Sequence, residues 1–578
     1  MNKNETFTGN PTSLGISRSK FIWHPVNSGT FKAGELVPFF TYLDVLPGST
    51  YKVSLRTLVR SITPVAPTMD DLYLDVAFFY VPNRLMLSRQ NMSPSVQDYE
   101  HSWQYFLGAQ DSTLNMPLPD QGRELGYVSL KAGKSTVESG LWDWQGQQVE
   151  LVNDLGVNPF WALAYYQVWN DFYRDPNTMF PVTFSVDGGV FSFTKNDEAG
   201  IVEPIYLNKN PLACVCPFHG YFGSALPWPQ RNSEVVGVPL QGDLIPVQAT
   251  DTLHFMGFKP SDTPTFNTSA SWPAPGSVTG HLFLDSTGSL AAGKDGIPAG
   301  STASALKYSN LVVSLENQVT INVNAMRLSV ATQRYYEALA RGGNRYGDMI
   351  HSIWNVRGDF PMATAEYLCS KRIPLNIIQV NNTAGNNVST QTQSSLGSTG
   401  AFSLTHDESY MFTKSFTEHG VIIGVACVRP NDTFSQGIQR PYYRFHPEDY
   451  YLPQFANIGE QPILNREIFA TGNFDTDSLV FGYQEAWADY RIQSNHVCGK
   501  LRPGKSLGYW TYANNFEQAP TLAGFLDGRR FVNNVDQTLQ VTSTSPGVEY
   551  QFIGQFGLDI EAILPMPTYS IPGLIDHH

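Results

Sequence analysis

Apolar and polar residues alternate with period two along several stretches of the chain, as expected of strands with one buried face. At 311–323, Leu311, Val313, Leu315, Val319, Ile321 and Val323 share odd positions, with Asn317 as the interruption. At 548–564, Val548, Tyr550, Phe552, Phe556, Leu558, Ile560, Ala562 and Leu564 share even ones. The stretch 72–81 (LYLDVAFFYV) is apolar on nearly both faces, which predicts a central strand. The strongest apolar run, 421–428, is far too short to cross a bilayer and predicts a buried strand. Two stretches carry helical spacing instead. One is 159–174 (PFWALAYYQVWNDFYR), with Pro159 tolerated in a first turn. The other is 326–341, where Leu328, Ala331, Tyr335 and Leu339 share a face before Gly342 and Gly343.

These strands lie far apart in the chain, so short hairpins cannot join them and long insertions must. Periodicity disappears at 261–309, rich in Gly, Ser, Thr, Ala and Pro, and at 381–403, rich in Asn, Thr, Gln and Gly, which predicts surface loops or protrusions. No fixed repeat argues for a solenoid or propeller. The expected fold is mainly β, a sandwich or jelly roll with long loop and helical excursions.

Composition agrees. Of 578 residues, 15% are charged and 13% aromatic, with 48 Gly and 38 Pro, which describes a turn-rich β protein. No 18-residue apolar run occurs, and the start MNKNETFTGNPTS has no apolar core behind a basic segment. The expectation is therefore a protein made and kept in a cytoplasm. Five cysteines without a Cys-x-x-Cys pair form no disulfide framework. The net charge of −14 means that any nucleic acid the protein encloses needs basic groups placed between the two.

Catalytic patterns are present in spacing and absent in context. Gly499-Lys-Leu-Arg-Pro-Gly504-Lys505-Ser506 fits a phosphate-binding loop, and Gly504-Lys-Ser506-Leu-Gly508 fits a nucleophile elbow. Each requires a following helix, which Leu507-Gly-Tyr-Trp does not favour, so a basic surface turn is the better reading. Cys214, Cys216 and His219 are close together but lack a fourth metal ligand, so buried thiols are expected and neither metal nor cofactor is assigned. Asp475 with Asp477, or Glu485 with Asp489, could serve a glycosidase; on a helix the second pair would share one solvated or interface face. Basic residues cluster at Lys3, Arg18 and Lys20, and again at Lys500, Arg502 and Lys505 beside Tyr509 and Trp510. These are the candidates for DNA contact.

Runs of residues in order carry a resemblance. They include Gly34-Glu-Leu-Val-Pro38, Leu46-Pro-Gly-Ser-Thr-Tyr51, Thr63-Pro64, Phe78-Phe-Tyr-Val-Pro-Asn-Arg84, Trp169-Asn-Asp-Phe-Tyr-Arg-Asp175 and Ala340-Arg-Gly-Gly-Asn-Arg-Tyr346. They continue with Ser415-Phe-Thr-Glu-His-Gly420, Asp449-Tyr-Tyr-Leu-Pro-Gln-Phe455, Ile458-Gly-Glu-Gln-Pro462, the 480–491 run VFGYQEAWADYR and Pro572-Gly-Leu-Ile-Asp-His577. The chain resembles the major capsid protein of the Microviridae, small single-stranded DNA phages, and most closely the gokushoviruses. The middle, about 235–309, carries no such run.

The resemblance implies a single eight-stranded jelly roll in a T=1 icosahedral shell around circular single-stranded DNA. It implies an N-terminal arm (1–30), a capsid domain (31–578), and an insertion (217–309, with 261–309 as its low-complexity part) rising at the threefold axes and used in host attachment. Implied partners are further copies of the chain, a small basic DNA-packaging protein, a scaffolding protein, a pilot protein, the DNA genome and a host surface receptor. The location implied is the virion capsid, made in the bacterial host cytoplasm. Aromatic and Arg side chains favour interface anchors. The expected subunit contacts are therefore Arg341, Arg345 and Tyr346 in the 340–346 turn, and Tyr483, Glu485, Trp487, Asp489 and Arg491 in the 449–491 region. A β-rich glycan-processing enzyme and a lectin-like adhesin are the alternatives, the latter suggested by the Asn381-Asn-Thr383 sequon.

Overall fold

The computed structural model describes residues 18–86, 128–130, 140–146, 155–187, 190–196, 202–205, 212–229, 364–381, 399–539 and 550–569, with short strands between 240 and 321. The chain forms two compact units, one comprising Met1–Pro229 with Arg357–His578, the other Gln230–Val356.

The first unit is built on two antiparallel sheets. Nine strands form them: β1 (Ser19–Trp23), β2 (Val26–Phe31), β3 (Val37–Val45), β4 (Thr50–Ser61), β5 (Leu72–Pro82), β6 (Glu366–Pro374), β7 (Thr405–Ser415), β8 (Gly420–Pro430) and β9 (Phe552–Leu564). In the first sheet β9 lies between β4 and the β1/β2 pair, and β7 flanks β4. The second sheet runs β6-β5-β8-β3. β1 pairs with the 560–564 half of β9 and β2 with its 552–557 half, so the two lie end to end and fill one position. From β2 to β5 the chain alternates between the sheets, and it does so again from β6 to β9.

Sequence pattern sets the faces. Along β4, Tyr51, Val53, Leu55, Thr57 and Val59 point inward, and Lys52, Arg56 and Arg60 point outward. Between the sheets Phe39 stacks on Phe556 at 4.6 Å, Phe78 meets Phe412 at 5.6 Å, and Tyr80 meets Phe416 at 4.4 Å. Gly424 on β8 leaves room for this seam, because a Cβ there would sit 2.8 Å from the Phe39 ring.

β5 and β8 are apolar on both faces because the second sheet is covered on its outer side. Helix α1 (Phe160–Val168) and the π-helical turn Trp169–Tyr173 that continues it lie there, matching the helix expected over 159–174. Tyr165, fully buried, donates to the Leu36 carbonyl at 2.8 Å and accepts the Ala213 N–H at 3.0 Å, and Phe172 packs on Phe79 at 4.7 Å.

Two long excursions interrupt the sandwich, one between β5 and β6 and one between β8 and β9. The second unit lies within the first of them. Its pairings are nested, with Leu240–Gln241 on Thr320–Ile321, Val247–Ala249 on Leu311–Val313, Phe255–Met256 on Lys307–Tyr308, and Gly280–Leu284 on Leu290–Lys294. The described parts of the 311–323 alternation, Leu311–Val313 and Thr320–Ile321, therefore belong to this ladder and not to the two core sheets, since period two reports a half-buried strand without saying which sheet it joins. Short strands also cross the 261–309 stretch, where surface loops or protrusions were expected. The helix expected at 326–341 lies outside the described residues.

Phe556→Ala removes a fully buried ring from the seam and is expected to destabilise the subunit by about 3–5 kcal/mol, read as a lower urea midpoint of unassembled protein.

Candidate subunit interface

The excursion between β8 and β9 shares a second core with residues 221–225 of the other excursion. Phe222, Phe434, Phe481 and Phe525 form a ring cluster with centroid separations of 4.7–6.3 Å, joined by Ile463, Ile468 and Leu522. The Glu460–Leu464 and Val480–Glu485 strands pair antiparallel over it, and Tyr483 exchanges backbone hydrogen bonds with Leu226 at 2.6 and 2.7 Å.

Outward from this base the chain runs through three short 3-10 turns, Arg440–Tyr443, Pro447–Asp449 and Pro453–Phe455, each with proline in its first two positions. The segment presents apolar side chains to solvent. Tyr442 is 76% exposed, Phe445 78% and, nearby in sequence, Phe474 78%; Met69 and Tyr569 are the only comparably exposed large apolar residues among those described. Tyr450, Tyr451, Leu452, Ile458 and Leu479 extend the exposed set, which is far denser than the scattered single residues of an ordinary surface.

A buried polar support holds these side chains up. Arg444 pairs with Asp489, their side chains only 7% and 10% exposed, and donates to the Tyr490 hydroxyl at 2.9 Å. Its guanidinium lies 4.4 Å from the Tyr490 ring centroid and 5.6 Å from that of Tyr450. Trp487 donates from Nε1 to the Phe455 carbonyl at 2.8 Å, and its ring meets Tyr451 edge-on at 5.7 Å. Its backbone sits at φ 65°, the only positive φ outside glycine among the described residues, which costs a bulky side chain roughly 1–2 kcal/mol. That strain turns the chain from the Val480–Glu485 strand into the Ala488–Arg491 helical turn and brings Asp489 to Arg444.

Of the expected contact residues, Trp487 and Asp489 belong to this support. Glu485 and Arg491 pair with each other at 2.7 Å on the exposed side, and Tyr483 lies half-buried on its strand. Glu485 and Asp489 do not share a helix; one ends a strand and the other follows the Trp487 turn, and each is matched by an arginine. Asp477 accepts from Thr471 and Gly472 backbone N–H groups, bracketing its own turn. Arg341, Arg345, Tyr346 and Lys3 lie outside the described residues. Arg444 was missed, although the run Arg440-Pro-Tyr-Tyr-Arg444-Phe carries the same mixture of Arg and aromatic residues just upstream.

The other candidate sites resolve locally. Gly499–Leu501 and Gly508–Trp510 are 3-10 turns and no α-helix follows Ser506 directly, so no row of helix-end amides converges on the basic turn; Lys500, Arg502 and Lys505 stand exposed on it. Burial pushes the Cys214 thiol up to about 11 and the Cys216 thiol up to about 12, and no group of metal-ligating side chains forms among the described residues. Arg18 and Lys20 lie at the start of β1, Lys20 pairing with Glu561 at 2.9 Å.

The family described as Capsid protein (F protein) matches residues 11–574. Capsid protein VP1 of Bdellovibrio phage phiMH2K is 30% identical over 576 residues, covering 97% of this chain and 96% of that protein. Capsid protein VP1 of Chlamydia phage 1 is 29% identical, covering 98% and 97%, and that of Spiroplasma virus 4 is 30% identical, covering 97% and 96%.

Asp489→Asn leaves the buried Arg444 uncompensated and is expected to cost about 3–5 kcal/mol, read as a lower melting temperature with faster amide exchange across 444–455. Asp449 accepts the His446 and Phe445 N–H groups at 2.9 Å, and these bonds hold its carboxyl below the usual range. A depressed folded pKa gives stability that is full above the unfolded value of about 3.9 and is lost as pH falls through the folded one. Protection of those two amides should thus persist in mild acid, weaken in stronger acid, and be weak at every pH in Asp449→Ala, which removes the acceptor.

Proposed function

Because this chain belongs to the phage Capsid protein (F protein) family, we propose that it assembles through the exposed aromatic face of the 438–492 region into a T=1 icosahedral shell around circular single-stranded DNA. It is a structural protein of the virion capsid, working as a homo-oligomeric shell and not as an enzyme. The observation that carries the interface assignment is the concentration of exposed large apolar side chains, Tyr442, Phe445, Tyr450, Tyr451 and Leu452, on a segment anchored by the buried Arg444–Asp489 pair. Symmetry repeats each contact around a closed shell, so modest individual affinities suffice. Glu485 and Arg491 then sit at its rim, where an ion pair sets register more than affinity.

The core reads as an eight-stranded jelly roll. Two four-position sheets that exchange the chain strand by strand, with β1 and β2 counted as one, support that reading. The 217–309 insertion is the surface protrusion at the threefold axes, used in attachment to a host receptor; the nested ladder between 240 and 321 supports an extended projection, while residues 217–229 group with the first unit. Of the N-terminal arm expected at 1–30, residues 19–23 and 26–31 are β1 and β2 of the first sheet; Lys3 with Arg18 and Lys20 at the start of β1, and the turn with Lys500 and Arg502, contact DNA. A net charge of −14 requires help in neutralising a genome, which a small basic packaging protein supplies. A scaffolding protein and a pilot protein complete the partners, and assembly takes place in the bacterial host cytoplasm.

Tyr442→Ser with Phe445→Ser is expected to leave the melting temperature of the subunit unchanged and to abolish closed particles in electron micrographs. Particles at the wild-type yield would remove this surface as the contact. Deleting 261–309 should leave particles intact and non-infectious; loss of folding instead would make the segment core.

A further inference from the structure

The two core sheets differ in what covers them. The second is covered by α1 and the turn after it, so Val421, Ile423, Val425 and Cys427 on its outer side are buried. The outer face of the first sheet is exposed over its described residues, and it mixes charged side chains with the apolar Ile22, Val26, Ile553 and Ile563. Arg18, Lys20, Lys52, Arg56 and Arg60 stand on it, all exposed, against three acids, Glu408, Asp559 and Glu561. The face carries a surplus of two positive charges (five minus three) on a chain of net −14.

The acids are shared. Glu561 lies 2.9 Å from Lys20 and 3.7 Å from Lys52, and Asp559 lies 3.0 Å from Arg56 and 2.5 Å from His24. Arg18 and Arg60 have no ion pair among the described residues. Lys52, Arg56 and Arg60 recur every fourth residue of β4, roughly 13–14 Å apart at ~3.4 Å per residue, which makes a row of cations along the strand. Tyr410 is 58% exposed on the neighbouring strand, opposite Ser54 in the register and between the levels of Lys52 and Arg56.

We infer that the open face of the first sheet binds single-stranded nucleic acid, its β4 cations on phosphates and the Tyr410 ring against a base, and so forms the genome-facing wall of the shell. This rests on the shell reading above and names the surface that meets the contents. A flat row of cations with an aromatic ring beside it suits a single strand, which offers phosphates at regular intervals and free base faces. An acidic peptide would gain from the charge and nothing from the ring.

The test uses the full-length chain as unassembled subunits with a labelled oligothymidylate. Lys52→Gln, Arg60→Gln and Arg18→Gln together should weaken binding about tenfold and shrink the salt dependence by roughly 0.7 for each phosphate left unneutralised. Arg60→Lys should retain binding, and Tyr410→Ala should weaken the oligonucleotide while leaving any polyglutamate binding unchanged. Unchanged affinity and salt slope in the triple variant, with an unchanged melting temperature, would overturn the inference. Polyglutamate bound as tightly as the oligonucleotide would overturn it too. Wild-type subunits that never form particles in micrographs would instead count against the shell reading, and the oligonucleotide measurement would still stand by itself.

Discussion

The aromatic seam between the sheets is the contact on which the rest depends. Phe39, Phe78, Phe412 and Phe556 close a two-layer core whose strands come from opposite ends of the sequence, and each ring pair adds about 0.5–1.5 kcal/mol beyond its burial. With the seam closed, the strands act as a fixed frame on which two excursions can be hung without disturbing register. That freedom suits a shell protein, whose frame must be rigid and whose loops must fit neighbours.

The proposed interface region shows how loops lacking long elements are held in place. Prolines restrict the backbone at three turns, a guanidinium and a carboxylate are buried beneath, and the aromatic rings lie above them. Ordering is completed during folding, so association loses less conformational freedom. The strained turn at Trp487 is the cost of aiming Asp489 inward, and its ring recovers part of that through Phe455 and Tyr451.

Much of this was legible in the sequence. The 72–81 and 421–428 runs are central strands because they are apolar on both faces, and 548–564 contains β9 because strict alternation marks one buried face. The aromatic density of 449–491 marks it as a candidate contact region. Sheet membership was not legible, since the alternation at 311–323 is the same whether a strand joins the core or a separate ladder. Nor was the Arg444–Asp489 pair, because 45 residues separate the partners and only the Trp487 turn joins them. The open cationic face of the first sheet escaped for a similar reason, being assembled from strands at positions 19, 50, 405 and 552 onward.

β9 occupies an interior position of its sheet, between β1/β2 near one end of the chain and β4. Until residues 552–564 have been synthesised, β1, β2 and β4 have no common partner and the inner rings at Phe31 and Phe39 lack Phe552 and Phe556. A nascent chain that has not yet made β9 therefore cannot complete its sandwich. The order of synthesis acts as a clock, withholding an assembly-competent fold until both long excursions have been made.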